Sequence, residues 1–138
     1  MKLRQDLFEK LIAHINRKSW WHVVPVDPQA YKKRGKFLAS TYEEAEFWGC
    51  PLNDPQRVRV QAPLVGDEET IERALFGRLV STEQISLRQR FALDKKMNEA
   101  AVALGYDSIV LMAASHFADF ARYGKIPRSI ELNVLQVE

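Results

Sequence analysis

Ile130-Glu131-Leu132-Asn133-Val134-Leu135-Gln136-Val137 alternates apolar and polar residues. A period of two sends successive side chains to opposite faces of a strand. The stretch therefore reads as a strand with one face buried. Upstream, Ser108-Ile109-Val110-Leu111-Met112 is a continuous apolar run and reads as a buried strand. Gly105 stands just before it and ends a long helix that runs back towards a Ser81/Gln84 capping box. Asp67 caps another helix, expected to run to about Leu79.

Residues 57–65, Arg-Val-Arg-Val-Gln-Ala-Pro-Leu-Val, begin in strict alternation and read as a half-exposed strand. Thr41 and Glu44 have the spacing of a capping box. The short helix they open closes at Gly49, with Pro51 beyond. Phe37-Leu38-Ala39 is a short extended piece. Trp20-Trp21-His22-Val23-Val24-Pro25-Val26 is β-branched and aromatic, so it reads as a strand, with Pro25 at an edge or bend. The first segment is an amphipathic helix with Leu3, Leu7, Leu11 and Ile15 one turn apart and Phe8 and Ile12 widening the stripe. Residues 113–128 read as mixed helix and loop, with Phe117 and Phe120 packed on the core. Helices and strands are partly segregated, so the fold class is α+β in a single domain over 1–138, an N-terminal helix at 1–19 and a core at 20–138.

The 138 residues are 46% hydrophobic and 28% charged, enough apolar content for a core and too much for a disordered chain. The formal charge of +2 is too near balance to imply nucleic acid by itself. Lone Cys50 allows no intrachain disulfide, points to a reducing compartment and reads as a packing residue. No apolar run reaches the roughly 20 residues a membrane span needs, and the charged N-terminus is no signal peptide. The expected location is therefore the cytoplasm, with no membrane partner. Neither a Gly-rich dinucleotide fingerprint nor a P-loop is present. His116, Asp119 and Glu131 fit no standard metal spacing, so no metal is expected. There is no Gly-x-Ser-x-Gly elbow for a serine nucleophile. Lys32-Lys33-Arg34-Gly35-Lys36 is the densest basic run; it reads as a solvated loop, with phosphate contact as the rival. His22 alone reads as a hydrogen-bonded strand residue, and Glu131 alone as a solvent-facing carboxylate.

Taken together, several segments resemble the ADP-ribosyltransferase family, in the branch with a His-Tyr-Glu pattern. Trp21-His22 resembles its first-strand aromatic-His pair, and Gly35-Lys36-Phe37-Leu38-Ala39-Ser40 its Gly-x-Tyr-Phe-Ala-Ser element. Ala45-Glu46-Phe47 falls where the family places a second ring-stacking aromatic, and Glu131-Leu132-Asn133-Val134-Leu135 resembles its last-strand Glu segment. Leu104-Gly105-Tyr106-Asp107-Ser108-Ile109-Val110 is similar to a turn of small bacterial and phage members.

The resemblance implies two small sheets forming an NAD cleft, flanked by helices. It implies a transferase that moves ADP-ribose from NAD, its substrate, to a macromolecular acceptor, a protein first, in the manner of an effector or toxin in its own or a target cell. Glu131 becomes the catalytic carboxylate that stabilises charge on the ribose. His22, Val23, Phe37, Ser40, Phe47 and Trp48 become NAD-binding residues. An immunity or inhibitor protein is a partner such toxins have, and nucleic acid is a weaker expectation. Three positions depart from the pattern: Val23 replaces a Gly, Phe37 a Tyr, and Ser129 a Glu or Gln. Ser129 argues against an arginine acceptor. Val23 and Phe37 support the alternative, a catalytically silent protein of this fold that acts by binding another protein.

Overall fold

A computed structural model describes residues 3–24, 36–41, 50–51, 55–79 and 87–135. Along these the chain forms α1 (Gln5–Arg17), β1 (Trp21–Val24), β2 (Lys36–Ala39), β3 (Cys50–Pro51), β4 (Pro63–Gly66), α2 (Glu68–Phe76), α3 (Leu87–Ala103), β5 (Ser108–Leu111), α4 (Ala114–Tyr123) and β6 (Glu131–Val134). The class is α+β. The expected helix over 41–49, the start of the helix at Ser81 and the basic run 32–35 lie outside the described residues, as do Phe47 and Trp48.

The described strands join in one mixed sheet, in the order β3-β1-β2-β6-β5-β4. The resemblance implied two small sheets. The described strands form one because β2 is bonded to β1 on one side and β6 on the other. The ladder nevertheless changes hands along β1: Trp21 and His22 pair with β2, whereas Val23 and Val24 pair with β3. All pairs are antiparallel except β4 with β5, which are parallel. A parallel pair needs a long crossover, and α2 and α3 supply it. Proline stands at both edges, Pro51 in β3 and Pro63 opening β4, where a missing N–H costs no ladder bond.

Alternation along β5 and β6 sorts the core onto two faces. Val110, Met112, Ile130 and Leu132 pack with Leu7, Leu11 and Ile15 of α1 and Phe117 and Phe120 of α4. Ile109 and Leu135 pack on the opposite face with Leu64, Ile71 of α2 and Ala101 of α3. The expected stripe on α1 is therefore its buried face, and the pattern in residues 113–128 resolves into α4.

Residues 57–60 depart from expectation. Their alternation is real, with Val60 buried and Arg57 and Arg59 exposed, but among the described residues they form no strand. The Asn16 side-chain amide donates to the Val60 carbonyl at 3.0 Å, and Val60 N donates back to Asn16 Oδ1 at 2.7 Å. Gln61 N donates to the Asp107 carboxylate at 2.7 Å, and Asp107 N to the Ala62 carbonyl at 3.0 Å. Side chains and a turn thus satisfy the backbone that a ladder would otherwise satisfy.

Helix α2 begins where its cap demands, with Thr70 N donating to Asp67 Oδ1 at 2.8 Å. It stops at Phe76, short of the expected 79, because Gly77 turns left-handed at φ 72°. Gly124 ends α4 in the same way, at φ 70°. The two caps differ in their surroundings. A Cβ on Gly124 would lie 2.9 Å from Leu7 Cδ2, whereas one on Gly77 meets nothing within 4 Å. Gly77→Ala should therefore cost about 1–2 kcal/mol from its backbone alone. Gly124→Ala should cost about 1–3 kcal/mol more, because Leu7 is buried and has little room to yield. Urea unfolding of the two variants would give that difference directly. Equal losses would show that the α1–α4 contact is slack.

His14 lies in the last turn of α1. Burial, and then the charges of Lys18, Arg17 and Lys10, hold its pKa below the ordinary histidine value. The unfolded chain thus binds this proton more readily than the folded one. The contribution to stability is complete above the unfolded value, about 6.5, and is lost as pH falls below it towards the folded pKa. Unfolding midpoints should fall from pH 7.5 to 5.5 more in the parent protein than in His14→Gln, and equal falls would remove His14 as the cause.

Candidate functional site

The register organises the site. Reading across the sheet, His22, Leu38, Leu132, Val110 and Val65 form one row. It is flanked on one side by the row Trp21, Ala39, Glu131, Leu111 and Gly66, and on the other by the row Phe37, Asn133, Ile109 and Leu64. Adjacent rows present their side chains to opposite faces. Leu38, Leu132 and Val110 are buried against α1 and α4.

Glu131 begins β6 on the other face. It is half-buried and lines a cleft with its strand neighbour Asn133. Ile109 and Leu111 of β5 form the floor, and Glu68 and Ile71 of α2 and Asp94 and Met97 of α3 form the walls. Three carboxylate residues therefore surround an apolar floor, and among the described lining residues there is no Lys, Arg or His. The lining is thus acidic around an apolar floor. Ala39, beside Glu131 in its row, adds only a methyl group, and Asn133 is buried.

Of the sequence-derived site residues, the register places Phe37 of β2 opposite Asn133, two rows from Glu131 with the Leu38–Leu132 row between. His22 falls in the row of Leu38, not in that of Glu131. Val23 pairs with Pro51, past the point where β1 changes partner. Ser40 is fully buried. Its hydroxyl donates to the Arg128 carbonyl at 2.8 Å and accepts from Ile130 N at 3.2 Å. Ser40 therefore fixes the segment that delivers Glu131 into β6, a positioning task where the resemblance implied contact with NAD. Phe47 and Trp48 lie outside the described residues.

Asp107, in the Gly-Tyr-Asp-Ser turn, also positions. It accepts from Gln61 N, donates its own N–H to Ala62, takes Leu135 N on its carbonyl, and its Oδ1 accepts from Ser108 Oγ at 2.8 Å. The turn ties the ends of β4, β5 and β6 together. On α4, His116, Asp119, Arg122 and Tyr123 are exposed, while Phe117 and Phe120 are buried.

Glu68, Asp94 and Asn133 were not singled out in the sequence. Glu68 reads as a helix-start acid and Asp94 as one charge among several on α3. Nothing in their spacing announces that the crossover folds them over Glu131. Among the described residues, no group of three or more His, Cys, Asp or Glu is arranged to hold a metal ion, and no helix is long and apolar enough to cross a membrane. No protein-family model, no curated protein and no solved structure matches the chain.

Proposed function

We propose that the protein is an NAD-dependent ADP-ribosyltransferase built on an ADP-ribosyltransferase-like sheet, with Glu131 as its catalytic carboxylate. The observation that carries this reading is the half-buried Glu131 at the head of β6, in an acidic cleft with an apolar floor. NAD would enter by its positively charged nicotinamide end, with its pyrophosphate outside the cleft. The bond between the ribose C1′ and the nicotinamide nitrogen breaks, and its electron pair leaves with nicotinamide. Positive charge builds on the ribose as it does in glycoside cleavage. A carboxylate fixed beside it lowers that barrier. The acceptor nucleophile then bonds to C1′ and releases its proton to solvent. The acceptor is a macromolecule, a protein first, and Ser129 disfavours an arginine. An effector or toxin working in the cytoplasm of its own or a target cell accommodates this chemistry.

A second reading has its own support. His22 stands in the row whose described members pack the opposite face, and the described cleft lining has no cation to meet a pyrophosphate. Both favour a catalytically silent protein of the same fold that acts by binding another protein. Incubation with NAD and cell lysate, following nicotinamide release, separates the two. Release that depends on Glu131 supports the transferase. No release, with no heat of NAD binding in calorimetry, puts the silent binding protein first.

A further inference from the structure

Residues 56–60 are tied beside the end of α1 and the residues that follow it. Asn16 brackets Val60 through its side-chain amide, and Trp20 and Gln56 exchange both backbone hydrogen bonds, at 2.8 and 2.7 Å. Arg57 and Arg59 are thereby held beside the end of α1, which carries Arg17 and leads into Lys18. Arg17, Arg57 and Arg59 are exposed and Lys18 is half-exposed. His14 and Lys10 continue the same helix face, one and two turns back from Lys18. Burial first, and then Lys18, Arg17 and Lys10, lower the pKa of His14, in keeping with a basic face on α1.

No acid interrupts residues 10–18 or 56–60. Among the described residues, Arg17, Lys18, Arg57 and Arg59 make no ion pair. Lys18 lies over the Trp20 ring at 5.8 Å and Lys10 donates to the Gly124 carbonyl at 2.7 Å, contacts that leave both charges uncompensated. The ridge belongs to the α1 side of the sheet, and the carboxylates of the cleft lie on the other side. Among the described residues, these cations and the carboxylates of the cleft thus lie on opposite sides of the sheet.

We propose that this ridge binds the phosphate backbone of a nucleic acid without regard to sequence. A two-residue step along an extended segment spaces Arg57 and Arg59 by about 6–7 Å, and guanidinium forks match phosphate oxygens. Membrane surfaces and protein partners ask for more than charge, namely apolar or aromatic side chains beside it. Among the described residues, the exposed large hydrophobic ones, Leu79, Leu104 and Tyr123, are on other elements. The proposal is independent of NAD chemistry.

Fluorescence anisotropy with a short labelled DNA duplex and a matching RNA strand tests it. Arg17→Gln/Arg57→Gln/Arg59→Gln is compared with Arg78→Gln/Lys95→Gln/Lys96→Gln, which removes the same charge elsewhere. All six side chains are exposed, and melting curves confirm that both variants are folded. The parent should bind with an affinity that falls steeply between about 50 and 200 mM salt. The ridge variant should bind at least about tenfold more weakly, with a log–log salt slope shallower by about 2–3. The control should stay within about twofold of the parent. The proposal is overturned by no binding of the parent at low salt, or by equal losses in the two variants. It is equally overturned if Lys32→Gln/Lys33→Gln/Arg34→Gln removes the binding while the ridge variant keeps it. Tighter binding to phosphatidylserine vesicles or to polyglutamate than to nucleic acid would reassign the ridge to a membrane or an acidic protein.

Discussion

Trp20→Ala is expected to be the most destabilising of the single substitutions considered, at about 3–5 kcal/mol. Trp20 is fully buried where three segments meet. Its ring packs in the cluster that holds Leu11 and Ile15 of α1, Leu38 of β2 and Val60. Its indole N–H donates to the Ile15 carbonyl at 3.0 Å, near the end of α1, and its backbone is paired with Gln56. Truncation would open a cavity among side chains anchored by separate elements, which cannot close around it together. It would also remove a buried hydrogen bond. Trp20→Phe keeps most of the ring volume and loses the N–H, so it should cost about 1–2 kcal/mol. Urea titrations of both variants by far-ultraviolet circular dichroism would measure the two contributions. Against a total stability typically of about 5–15 kcal/mol, the alanine variant should melt many degrees below the parent. A loss under about 1 kcal/mol would mean that the junction of α1, β1 and 56–60 is not packed as described.

That junction also shows how far the sequence could be read. The alternation in β6, the apolar run of β5, the stripe on α1 and the Asp67 cap each announce their element, because the signal and the structure lie within one turn or one strand. Residues 57–60 alternate just as clearly. Val60 is held by the amide of Asn16 and the next residue, Gln61, by the carboxylate of Asp107, about 45 residues away on either side. No local pattern distinguishes a ladder from such a bracket. The parallel pairing of β4 with β5 and the single sheet are long-range facts of the same kind. Glu131 was legible as a residue, through the resemblance of its segment, but its surroundings were not. The solvent-facing carboxylate that alternation suggests is half-buried, because α2 and α3 fold across its face and bring Glu68 and Asp94 beside it. Ser40, expected at the ligand, is spent on Arg128 and Ile130. A serine that clamps backbone and one that contacts a substrate look alike in a sequence.

Glu131→Gln is the substitution on which the transferase reading stands. The change keeps the side chain's size and removes one charge from a cleft of three carboxylates. The amide is close to the carboxylate in size and shape, so the fold should remain intact. If Glu131 stabilises charge growing on the ribose, its effect belongs to the transition state. Nicotinamide release should fall on the order of 10²–10³-fold in kcat, with KM changing little, because ground-state contacts remain. Asp94→Asn and Glu68→Gln, on the cleft walls, should act through the field alone and cost less, roughly tenfold or under. A carboxylate that merely shapes the cleft would give the reverse pattern: a shifted unfolding midpoint, a raised KM and nearly unchanged kcat. If parent and variant release nicotinamide equally, Glu131 has no catalytic part. Any NAD cleavage would then have to come from a different group, and the likeness of β6 to the last strand of the transferases would carry no chemistry.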